Sequence, residues 1–88
     1  MHLVKQSRHV SGHRLLITFD DGEEKLVNLE PHLEGEVFEP LKDPDYFKRC
    51  RVNEDIDTVV WPNGADFSPD FLYEIGQRVT DAAIAADK

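Results

Sequence analysis

Apolar and polar positions alternate from His13 to Phe19, and the two-residue period of a strand puts Leu15, Ile17 and Phe19 on one face. Leu16 and Thr18 point the other way. Asp20-Asp21-Gly22 follows at once, and an Asp-Gly step between two apolar runs predicts a tight hairpin with a primed turn, where glycine supplies positive φ. Glu24 to Leu29 is the returning strand: Val27 and Leu29 share one face, Leu26 and Asn28 the other. Residues 3–10 alternate more loosely, with Val4 and Val10 on one face, and Ser11-Gly12 is a turn signal. Together these runs predict a three-stranded antiparallel meander.

The second half changes character. Glu30-Pro31 ends the third strand, because proline cannot donate to a ladder. Residues 31–42 read as irregular, with Leu33, Val37, Phe38 and Leu41 as core-facing anchors. Asp43-Pro44 fits the start of a short helix, Asp43 as N-cap and Pro44 at the first helical position, with Tyr46 and Phe47 packing onto the sheet. Short strands are expected at 51–53 and 58–61, and Pro62-Asn63-Gly64 is a turn. Ser68-Pro69-Asp70 opens a final helix whose apolar residues Phe71, Leu72, Ile75, Val79, Ala82 and Ala83 recur near helical spacing, with Gly76 inside the pattern and fraying past about 84. The order is β-β-β-α-β-β-α, an α+β fold with a mainly antiparallel sheet and helices packed on one face.

Eighty-eight residues suffice for one domain, 1–88. Eighteen acidic against ten basic residues leave a formal net charge of −8. That balance repels nucleic acid and anionic membrane surface and favours a basic protein partner. The charge is uneven: Asp20 to Asp45 holds ten acids and two bases, whereas Lys48, Arg49 and Arg51 form a basic cluster that reads as either solvated charge or an anion-binding edge. Cys50 is the only cysteine, which fits a reducing cytoplasm, and its place between Arg49 and Arg51 on a strand predicts a buried, inert thiol. No secretory signal and no apolar run of membrane-spanning length is present.

Few constellations carry chemistry. Trp61-Pro62-Asn63-Gly64-Ala65-Asp66 joins a strand to a helix and gathers the only tryptophan, an amide, a carboxylate and a glycine within six residues. Trp61, Asn63, Gly64 and Asp66 are therefore candidate ligand- or partner-binding residues. The same residues also suit a core anchor, a turn and a backbone acceptor. Histidines 9 and 13 straddle a turn without a third ligand, so no metal site is expected. No phosphate loop, nucleophile elbow or paired carboxylates can be assembled, and no cofactor is implied.

The runs Leu15-Leu16-Ile17-Thr18-Phe19-Asp20-Asp21-Gly22, Leu26 to Pro31, Phe38 to Phe47 and Val59 to Tyr73 resemble the domain-of-unknown-function 2442 family of small bacterial proteins, over about residues 3–74. The most specific part is Trp61 to Asp66 followed by Pro69-Asp70-x-Leu72. The resemblance implies a small α+β fold with no established activity or catalytic residues. It also implies relatives encoded beside small toxin-like proteins, and others with a C-terminal helix-turn-helix domain for which this chain has no room.

The expectation is a non-enzymatic, antitoxin-like interaction module that binds a basic partner encoded nearby. The alternative is a small-ligand or enzymatic site at the Trp61–Asp66 loop. Self-association through a sheet edge or the final helix is a third expectation, since small cores gain stability from it.

Overall fold

The computed structural model describes residues 2–79. Three strands, β1 (Val4–Ser11), β2 (Arg14–Phe19) and β3 (Glu24–Asn28), form the antiparallel meander. Two 3-10 segments, Glu30–His32 and Glu36–Lys42, lead into α1 (Pro44–Phe47). A separate two-stranded ribbon follows, β4 (Arg51–Asn53) against β5 (Thr58–Val60). After α2 (Pro69–Ile75), the two-residue β6 (Gln77–Arg78) joins the main sheet, whose order is β1-β2-β3-β6. The fold is α+β with a mostly antiparallel sheet.

The inward faces of β2 and β3 carry the core as their alternation requires. Leu15, Ile17, Phe19, Val27 and Leu29 are buried beneath Leu33, Leu41, Phe47, Trp61 and Leu72. Burying one such side chain stabilises by roughly 1.5–3 kcal/mol, so this layer is the main driving force for closing the sheet.

β1 departs from simple alternation. Its register against β2 shifts between Val4 and Gln6 and again between His9 and Ser11. An extra residue in one strand exchanges its faces. Val4 is buried, but the inward positions beyond the first shift are Ser7, His9 and Ser11, so Val10 is 37% exposed rather than sharing the face of Val4. The β2–β3 turn also differs from expectation. It is a three-residue loop, with the Gly22 N–H donating to the Phe19 carbonyl and Phe19 N–H to the Glu23 carbonyl. Only Gly22 takes positive φ, at 85°, the form of a turn closed by a left-handed bulge residue rather than a primed pair.

In the connection, Leu33 and Leu41 are buried and Phe38 packs against the core, but Val37 is 46% exposed. Asp43 caps α1 as expected, its Oδ1 accepting from the Asp45 N–H at 3.0 Å.

The final helix ends earlier than its apolar spacing predicts. Gly76 is its C-cap in extended conformation, and its N–H donates to the Leu72 carbonyl. A Cβ at Gly76 would lie 2.8 Å from the Cβ of Lys25. Glycine is needed there because the chain passes against β3 to form β6, pairing Lys25 with Arg78 and Leu26 with Gln77. The unfilled edge of β3 competes for the residues after Gly76 and wins over helical spacing. Ala82, Ala83 and the expected frayed end lie outside the described residues. Ser68 holds the N-cap position without a hydroxyl cap bond. No helix among the described residues is long and apolar enough to cross a membrane.

Candidate functional site

Two surfaces emerge, one at each side of the ribbon β4–β5. The first is built on the strand-to-helix loop after β5. The Trp61 ring is buried, 2% exposed, with centroids 5.5 Å from Phe47 and 5.9 Å from Phe67. Its Nε1–H donates to the Phe47 carbonyl at 2.9 Å, satisfying the one polar atom the ring takes inside. The loop closes on itself through Trp61 N–H to the Ala65 carbonyl and Gly64 N–H to the Trp61 carbonyl, with Gly64 at φ 89°. The Asn63 amide donates to the Val37 carbonyl at 2.8 Å, while its Oδ1 accepts from Ala65 N–H at 3.1 Å. Asp66 sits opposite Val60 in a β-bridge, with its side chain exposed. The loop therefore clasps the 3-10 connection, and three of its four candidate residues (Trp61, Asn63 and Gly64) serve internal contacts.

Beside the loop lies a shallow cleft of about 630 Å³ lined by Lys48, Arg49, Cys50, Arg51, Val60, Trp61 and Pro62. It is where the two sets singled out in the sequence meet: the basic cluster forms one side, Trp61 and its neighbours the other. Asn63, Gly64 and Asp66 do not line it. The three cations are lightly engaged. Lys48 Nζ stands 3.9 Å from Asp45, and the Arg49 guanidinium lies 5.7 Å from the Tyr46 ring centroid. Arg51 makes no ion pair with the described residues, and all three side chains are exposed. Cys50 is half-buried, and burial pushes its thiol above the ordinary range, partly opposed by a hydrogen bond from Ser7. It is a wall rather than a nucleophile.

The second surface is an acidic end. Val4 N–H donates to the Asp57 carbonyl, Asp20 N–H to the Leu3 carbonyl, and Leu3 N–H to Asp20 Oδ1 at 3.0 Å. His2 N–H reaches Asp70 Oδ1 at 2.9 Å. These bonds draw the β2–β3 turn, the β4–β5 turn and the start of α2 to the beginning of β1. Asp20, Asp21, Glu54, Asp55, Asp57 and Asp70 thereby share the end of the molecule where β1 begins, and Ile56 of the β4–β5 turn is 48% exposed. Here the Tyr73 ring is stacked on His2, with centroids 3.5 Å apart, and Lys25 Nζ lies 3.7 Å from its centroid. Tyr73 donates from its hydroxyl to Asp21 Oδ2 at 3.0 Å. The Glu23 N–H, with help from Tyr73, holds Asp21 below the usual carboxylate range, and the bond to Asp21 pushes the Tyr73 phenol up.

The acid-rich run from Asp20 was visible in the sequence, but its meeting with Asp57 and Asp70 depends on long-range backbone bonds that no local pattern announces. The same is true of Val60 and Pro62 as cleft walls. His9 and His13 turn to backbone carbonyls, Gly12 and Lys42, both at 2.9 Å. No group of three or more metal-ligating side chains occurs among the described residues.

No curated protein and no solved structure matches the chain. A family model does match, over residues 4–78, so the span from the first strand to β6 is covered. On that match the chain belongs to the family described as protein of unknown function (DUF2442).

Proposed function

We propose that this chain is a single non-enzymatic interaction domain, acting in the bacterial cytoplasm, whose acidic end receives a small basic protein in the manner of an antitoxin. The observation that carries the reading is the convergence of two turns and the start of α2, each bearing carboxylates, on the beginning of β1, with Ile56 exposed in one of the turns. An exposed apolar side chain among charged ones supplies both the buried contact and the polar selectivity that protein interfaces use. The net charge of −8 adds long-range attraction for a cationic partner, which acts mainly on the association rate. The same charge disfavours direct contact with nucleic acid.

The test is co-purification with the product of the adjacent gene, followed by association rates across salt concentration. The expected result is binding whose association rate falls steeply with salt. Asp55→Lys slows association and Ile56→Asp speeds dissociation, while both variants keep the parent's melting temperature. A neighbour protein that does not bind, or a rate indifferent to salt, removes the reading. Light scattering on the free domain gives its own oligomeric state.

A second reading, a small-ligand site at the Trp61 loop, is favoured by one observation. The cleft shares Trp61 with that loop and carries cations at its rim.

A further inference from the structure

We infer that the cleft between the Lys48–Arg51 segment and Trp61-Pro62 is a binding site for a small phosphate monoester with a flat apolar body. It stands apart from the acidic end, and neither reading depends on the other.

Size comes first. A volume of about 630 Å³ falls within the range of small-molecule sites, roughly 300–1,000 Å³. The walls are divided by chemistry. Val60 and Pro62 give an apolar side, backed by the edge of the buried Trp61 ring, which the β4–β5 ladder and the Trp61 Nε1–Phe47 bond fix in place. Lys48, Arg49 and Arg51 give a cationic side.

The charge there is out of keeping with the molecule. In a chain with 18 acids and 10 bases, three cations within four residues line one cleft, and the only acid paired with any of them is Asp45, at 3.9 Å. Elsewhere on the surface Arg78 pairs with Glu23 at 2.8 Å and Lys42 with Glu39 at 3.1 Å. Arg51 forms no such pair with the described residues. Two guanidinium groups and an ammonium supply several donors to a tetrahedral dianion, with the forked geometry that suits phosphate. The apolar side then distinguishes an ester with a planar group from the free anion. Nothing in the lining acts as a nucleophile or general base toward phosphorus: the only thiol, Cys50, is held protonated by burial. The site binds and does not hydrolyse.

Trp61 is the only tryptophan and borders the cleft from within the core, so its fluorescence is a single-site signal that the amide shifts assign to the cleft or to the core. The probes are phenyl phosphate, inorganic phosphate and sodium chloride at matched ionic strength, with residue-by-residue amide shifts recorded in parallel. The expected result is a saturable response to phenyl phosphate, centred on residues 48–51 and 60–62. Its affinity should exceed that for inorganic phosphate by about tenfold, as one buried apolar ring face of modest area allows. Arg49→Gln with Arg51→Gln should weaken it by at least about tenfold, the loss of charge-assisted bonds, while the amide spectrum elsewhere stays that of the parent. Asp55→Lys should leave it unchanged. A response no different from chloride, equal affinity for the two phosphates, or binding that survives the double arginine substitution overturns the inference.

Discussion

The indole of Trp61 shows how much of the candidate loop is architecture. Its ring fills the space between Phe47 and Phe67, and its nitrogen satisfies a carbonyl at the end of α1. Trp61→Phe removes both volume and donor and leaves the Phe47 carbonyl with only the long bond from the Cys50 N–H, at 3.4 Å. The expected cost is about 2–4 kcal/mol in urea unfolding, the sum of a partial cavity and an unmade buried bond. A loss under about 1 kcal/mol would mean that the ring is not held as described. Asp21 makes a different prediction at the same scale. Its carboxyl is lowered from 3.8 by the Glu23 N–H and the Tyr73 hydroxyl, so the folded state favours its ionised form. A depressed folded value contributes stability above the unfolded value, and that contribution is lost as pH falls through the folded one. Melting temperature should therefore drop on acidification below about pH 4, and Asp21→Asn should flatten part of that drop while lowering stability at neutral pH. Identical acid profiles for the two proteins would contradict the assignment.

At the scale of elements, legibility followed how local the deciding force was. β2 and β3 could be read from the sequence because their period of two matches a face that is wholly buried. Simple alternation sets Val10 on the face of Val4, which is wrong, because the bulge near Val4 exchanges the faces and leaves no trace in composition. Val37 has the apolar character of an anchor, yet a 3-10 segment turns it outward beside buried Leu41. The Asp43 cap was legible, and so were the basic cluster and the Trp61 loop as separate features. Their meeting at one cleft was not, since it requires β4 to pair with β5. β6 escaped notice because Gly76 and Val79 fit a helical period, whereas the β3 edge is a tertiary partner. Gly76→Ala tests that account. The added methyl meets the Lys25 Cβ at 2.8 Å and the Leu72 carbonyl at 3.0 Å, both difficult to move. The expected cost is about 1–3 kcal/mol, with faster amide exchange at Val79, whose N–H donates to the Glu24 carbonyl. Unchanged protection at Val79 would show that β6 does not need glycine.

For the molecule as a whole, charge is the dominant imbalance. The acidic end gathers six carboxylates beside few bases, Lys25 and Arg78 among them, and like charges so placed repel in the folded state. Salt screens that repulsion, with a Debye length of about 10 Å at 0.1 M. Raising sodium chloride from about 0.01 to 0.15 M should therefore raise the melting temperature, because the few exposed ion pairs that salt weakens contribute little. A fall over that range would mean that the exposed pairs outweigh the repulsion. The bipolar distribution also explains why net charge alone misdescribes the surface: an approaching cation and an approaching anion each find a face suited to them.

The bonds from His2 N–H to Asp70 and from Leu3 N–H to Asp20 have a practical corollary. Any affinity tag spliced upstream of His2 would emerge amid the two acidic turns and the start of α2. A polyhistidine or basic tag there would fold back on the carboxylates and blunt capture of a cationic protein. An uncharged tag at the same position leaves the carboxylates unmatched, so the two kinds of tag should give different yields in the same pull-down.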